Sequence, residues 1–154
     1  MSSEKMGFEK NRRFQKDYHN TRTTAFINGK TCNFRSKGEF QIAKYLQFLK
    51  DFYQIKDWAY EQTKFCFPSE QDPVKTWLVD FDVINNDGTF YYIEFKGHVE
   101  PDTKRKLILL AKYKPEVQVD MVFYGKADMK RLGSKATACC RRVCLLKDLT
   151  KGII

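Results

Sequence analysis

The chain has 154 residues, enough for one domain with an ordinary hydrophobic core. Its 13 Phe and 8 Tyr argue against a disordered chain, and no apolar run approaches the roughly 18 residues of a membrane helix. The polar start carries no signal-peptide pattern, and the five cysteines form no CxxC pair, so a soluble cytoplasmic protein without disulfides is expected. The net charge of +9 is unevenly placed. Residues 1–24 hold six Lys/Arg against three Asp/Glu, residues 126–147 hold seven against one, and the remainder is neutral. A neutral body with basic ends suits a polyanionic partner, nucleic acid before membrane.

Residues 1–23 lack periodicity and read as a flexible basic arm, leaving 24–154 as a single domain. Ala25 to Phe34 predicts a short hairpin around Asn28-Gly29. Ser36 and Glu39 form an S-x-x-E capping box that starts a helix running to about residue 50. Phe40, Ala43, Leu46, Phe48 and Leu49 give it an apolar face. Asp57 to Phe67 reads as one aromatic-rich strand with Glu61 as a solvated or ion-paired member, and Pro68 to Lys75 as a polar loop. Trp77 to Gly97 predicts two alternating strands around Asn86-Asp87-Gly88. Pro101 opens a second helix with Leu107, Leu110 and Ala111 inward, Pro115 stops it, and Val117 to Tyr124 forms a strand. A helix crossover lets that strand join in parallel. Residues 125–154 are basic and part-helical, with no place assigned. The pattern predicts an α/β (α+β) domain, a mixed sheet flanked by helices.

The chemistry concentrates in the hairpin at 77–97. A three-residue turn pairs Asn85 with Thr89, and continuing that ladder sets Asp80 opposite Glu94. Cross-strand neighbours have Cβ atoms about 5 Å apart. Lys96 lies two residues on, on the same face as Glu94. Two carboxylates and an amine then converge. Mg²⁺ takes one or two carboxylates with waters and substrate phosphate, and the Phe95 backbone carbonyl offers a further oxygen. Lys96 is placed to orient a water or stabilise developing negative charge. On the residues alone, Glu39 serves equally as a cap or as a ligand. Asp82 reads as a supporting or solvent-facing residue, His98 as a loop histidine, and the cysteines fit no standard zinc spacing.

The motifs F-R-S-K-G-E (34–39), V-D-F (79–81), I-E-F-K-G (93–97) and D-T-K-R-K-L (102–107) resemble those of the PD-(D/E)xK nuclease superfamily, in particular its phage endonuclease I type. The resemblance covers about Phe34 to Tyr124. It implies a restriction-endonuclease-like fold and Mg²⁺-dependent hydrolysis of DNA phosphodiesters, with Mn²⁺ able to substitute. It implies Glu39, Asp80 and Glu94 as metal ligands, Lys96 as the catalytic lysine, and the cytoplasm of an infected host cell as the place of action. Arg35, Lys37, Lys104, Arg105 and Lys106 around the motifs, with Arg141 and Arg142 of the basic C-terminal stretch, are the expected DNA contacts. Resolvases of this type act on Holliday junctions as intertwined homodimers, so the resemblance implies a homodimer, and it leaves open whether Pro68 to Lys75 is an exchanged bridge. Val79 stands where the motif has proline, the hairpin loop is longer, and residues 125–154 have no counterpart. Two alternatives accompany this reading, a DNA-binding or assembly protein without catalysis and a nicking or end-processing nuclease. Clustered acids argue against a pure binder, because they repel each other and phosphate alike.

Overall fold

A computed structural model describes residues 21–68 and 70–153, so most of the arm expected over 1–23 lies outside the described residues. Strands β1 (Thr23–Ile27) and β2 (Lys30–Phe34) form the first hairpin. Its turn is Asn28-Gly29, with φ of 53° and 75°, the left-handed pair that a two-residue turn requires. Helix α1 (Lys37–Asp51) follows, capped by Ser36, whose hydroxyl accepts from the Glu39 N–H. Ile42, Ala43 and Leu46 form its buried face. Phe48, expected inward, is 37% exposed, because it lies outside the stripe that Ile42 and Leu46 define.

The main sheet has five strands in the order β3-β6-β7-β8-β9. These are β3 (Asp57–Tyr60), β6 (Phe81–Ile84), β7 (Phe90–Lys96), β8 (Val119–Phe123) and β9 (Arg142–Leu145). The β3/β6 and β6/β7 pairs are antiparallel, and β7/β8 and β8/β9 are parallel. Helix α2 (Pro101–Tyr113) supplies the crossover from β7 to β8, with Pro101 in its first turn. Its buried apolar residues are Leu107, Leu109 and Leu110, while Ala111 is exposed rather than inward. The basic C-terminal stretch folds as α3 (Lys126–Arg131), α4 (Gly133–Thr137), β9 and α5 (Leu146–Leu149), so it contributes the fifth strand. The fold is mixed α+β.

Each sheet face buries its own core. Val119, Met121 and Phe123 of β8 pack with α2, while Val122 of the same strand joins the cluster under α1 with Phe81, Val83 and Ile93. All five β8 residues are buried, as expected of a strand covered on both sides. The five cysteines are free, and no helix among the described residues is long and apolar enough to cross a membrane.

Two expected strands are broken, and the breaks coincide. The stretch 57–67 divides into β3 and β4 (Lys64–Cys66), and the first strand of the central hairpin divides into β5 (Thr76–Leu78) and β6. Tyr60 pairs with Phe81 and Lys64 pairs with Leu78, so residues 61–63 oppose only 79–80. One extra residue makes a β-bulge. Glu61, at φ 50°, absorbs it, and bonds of 2.8 Å (Glu61 N–H to Asp80 O) and 3.1 Å (Val79 N–H to Thr63 O) bracket it. Bulges bend the ladder and re-aim side chains, and this one lies where the acids meet.

Candidate active site

Asp80 sits immediately before β6, opposite the bulge, and is 2% exposed. The Phe81–Ile93 register, with the Asn85 N–H bonded to Thr89 O at 2.8 Å, places Asp80 opposite Glu94 as the sequence predicted. Its Oδ2 accepts the Phe95 N–H at 2.8 Å. Tyr92 and Lys96 turn their backbones to the β8 side, so the Phe95 backbone faces Asp80. Glu94 is equally buried, and its Oε2 accepts a short hydrogen bond from the Trp77 indole N–H. Its carboxyl group is the cross-strand neighbour of that of Asp80 and acts on it electrostatically. Burial, and next the charge of Glu94, hold Asp80 well above the usual carboxylate range. Two neighbouring buried carboxyl groups favour a proton or a cation nearby.

Glu39 reaches the same place from α1. Gly38 allows the approach, because a Cβ there would overlap the ring of Phe95. The Glu39 Oε2 accepts the Ser36 hydroxyl at 3.1 Å, and Oε1 accepts the Tyr60 hydroxyl at 3.3 Å. The cap and site roles of Glu39 therefore coexist: its N–H completes the cap while its carboxylate points to Asp80. Burial, then the Asp80 charge, pushes its carboxyl group up to about 7.

Glu61 is the residue that sequence reasoning undervalued. It lies in the bulge rather than inside a strand, and its carboxylate joins those of Glu39 and Asp80. One oxygen from each falls within 4.8 Å of the others, an arrangement able to hold a metal ion. The signal available was Glu61-Gln62-Thr63, a polar interruption of an aromatic run. Glu94 lies opposite Asp80 in register but is not one of these three. Trp77 and Tyr60, which orient Glu94 and Glu39, carried no functional signal.

An open cleft of about 770 Å³ collects these groups. Arg35, Glu39, Asp80, Glu94, Phe95 and Lys96 line it, together with His98 and Asp128. His98 lies 3.5 Å from Asp128, which also accepts the Val99 N–H at 3.2 Å. Asp82 is buried rather than solvent-facing, and accepts a short hydrogen bond from Thr63 inside the bulge. Of the expected DNA contacts, Arg35 binds the acid cluster, Arg105 pairs with Asp72, and Arg141 clamps Asp120 at 2.7 and 2.6 Å. Lys37, Lys104 and Arg142 are exposed, and Lys106 is half-buried.

No protein-family model, curated protein or solved structure matches the chain. The chemistry must therefore be argued from the cleft. Among the described residues, five acidic side chains line it (Glu39, Asp80, Glu94, Glu100 and Asp128) against the basic Arg35 and Lys96, in a chain of net charge +9. Basic surroundings with an acid-rich centre attract a polyanion yet repel it at the contact point, unless a bound cation reverses the local sign.

Proposed function

We propose that the chain is a divalent-metal-dependent endonuclease with a restriction-endonuclease-like fold, hydrolysing DNA phosphodiesters. The reading rests on one observation. Asp80 and Glu94 are buried opposite each other on neighbouring strands, with Glu39 and Lys96 lining the same cleft. Hard oxygen ligands of this kind suit Mg²⁺, with Mn²⁺ as a substitute. Asp80 and Glu39 would hold the ion, with Glu94 and the Phe95 carbonyl beside them and Glu61 within reach. A metal bound there lowers the pKa of a coordinated water and offsets charge on the phosphate.

The chain's own groups do the rest. Lys96 lies two residues from Glu94 on one strand face, positioned to orient the attacking water and to stabilise the developing negative charge. The Trp77 indole fixes the Glu94 carboxylate, and the Phe95 N–H fixes that of Asp80, so neither must reorganise during reaction. The exposed Lys37, Lys104 and Arg142 give phosphates a sequence-independent anchor. The resemblance of the motifs to phage resolvases makes branched DNA, a Holliday junction above all, the leading substrate. It makes a homodimer in recombination the working form.

A labelled four-way junction incubated beside a matched duplex, with and without Mg²⁺, tests this. Junction cleavage should require the metal. Asp80→Asn and Lys96→Ala should each lower the cleavage rate on the order of a thousandfold while leaving junction binding nearly intact. Failure to cut either DNA in Mg²⁺ or Mn²⁺ would overturn the proposal.

A further inference from the structure

The acid cluster already contains a cation, and it belongs to the chain. Arg35 Nη2 lies 2.9 Å from Glu61 Oε1, 3.1 Å from Asp80 Oδ1 and 3.5 Å from Glu39 Oε1. These three residues are also the ones whose oxygens converge closely enough for a metal. A single nitrogen thus occupies the space that a metal ion would take. Mg²⁺ needs its ligand oxygens at about 2.0–2.1 Å, so guanidinium and metal exclude each other from this position.

The anchoring of Arg35 permits the exchange. Its backbone lies between Phe34, the last residue of β2, and Ser36, the N-cap of α1, so both flanks are fixed. Its side chain is 56% exposed, whereas those of Glu39 and Asp80 are 5% and 2% exposed. Glu39 and Asp80 have nowhere to go, Glu61 is 29% exposed, and the guanidinium is the freest of the four groups to move. One guanidinium also fails to balance three acids. Arg141 makes the contrast, with one arginine and one aspartate joined by two hydrogen bonds.

We propose that Arg35 is an exchangeable internal counterion: it holds the acid cluster together without metal, and a divalent cation displaces it on binding. The proposal rests on the metal-dependent reading above and assigns Arg35 a role beyond contacting DNA. Displaced but tethered, the guanidinium remains at the wall of the cleft, where a planar fork matches the geometry of a phosphate. Metal loading then replaces a cation held among acids with two cations facing the substrate.

Calorimetric titration of Mn²⁺ into the wild-type chain, Arg35→Ala and Arg35→Lys tests the exchange without any DNA. Removing the competitor should tighten Mn²⁺ binding on the order of tenfold in Arg35→Ala, with Arg35→Lys between the two. Unchanged or weaker binding by Arg35→Ala beside a wild type that binds would overturn the role of Arg35 alone. Absence of binding in every chain would overturn the metal reading and this proposal together. A measurement on the unmutated chain guards against a variant that fails to fold. The Arg35 Nε–Hε NMR resonance should shift along the same Mg²⁺ saturation curve as metal binding, and a resonance that stays put while Mg²⁺ binds would refute displacement.

Discussion

Arg141 meets Asp120 through two hydrogen bonds and lies over the Tyr91 ring at 3.7 Å, whereas Arg35 shares one nitrogen among Glu39, Glu61 and Asp80. Both arginines face aspartates that are 2% exposed. The first assembly is balanced, with one charge of each sign in bidentate geometry, and it ties β8 to the segment that enters β9. The second sets three acidic groups against a single guanidinium, an excess that protons or a further cation must offset. A balanced buried pair is architecture. An unbalanced one keeps strain that only a further cation or proton relieves, and such strain collects at functional sites.

That contrast can be broken in three ways, beginning with the largest effect. Arg141→Ala should destabilise the fold by about 3 kcal/mol, because it strands a buried carboxylate, and added Mg²⁺ should not restore the loss. Denaturant unfolding with and without the metal measures this, and a loss repaired by Mg²⁺ would erase the distinction between the two sites. Glu39→Gln should act in the opposite direction. It removes one surplus charge while keeping an acceptor for Ser36, so at pH 8 without metal the variant should unfold about 1 kcal/mol later than wild type. A less stable variant would mean that the cluster is as balanced as the Arg141 pair.

The smallest effect is the pH dependence of the metal-free chain. Folding raises the Glu39 carboxyl group from its ordinary 4.5 to about 7, so the native state binds its proton more tightly than the unfolded state does. The stabilising contribution is complete below the unfolded value and is lost as pH rises through about 7. Melting temperature should therefore fall across that window, and the fall should shrink in Glu39→Gln. A flat profile in both chains would show that burial does not hold the proton on Glu39.

Much of the site was legible because its placement is local. Asn85 to Thr89 fixes the turn, the turn fixes the register, and a period of two carries Asp80 to Glu94 and keeps Lys96 on the same face. Ser36 and Glu39 announced the start of α1 for the same reason, since a cap acts over three residues. The parallel entry of β8 followed from its crossover helix. Phe48 and Ala111 were misplaced because an apolar residue near a helical stripe does not say which neighbour covers it.

The remainder depended on contacts between distant segments. The bulge at Glu61 arises where 61–63 is measured against 79–80, so neither segment alone contains it. Only after that bend does Glu61 join Glu39 and Asp80, and only then does Arg35 become their shared partner. Trp77 turned out to hold Glu94 because β5 leaves the main sheet to pair with β4. The fate of each arginine was equally nonlocal, because a cation is structural or available according to which carboxylate the fold buries beside it. The sequence by itself determined the hairpin, its register and the identity of Asp80, Glu94 and Lys96, all set by interactions within a few residues. Tertiary structure decided the charge balance around them, because electrostatic surplus belongs to the assembled cleft and not to any one strand.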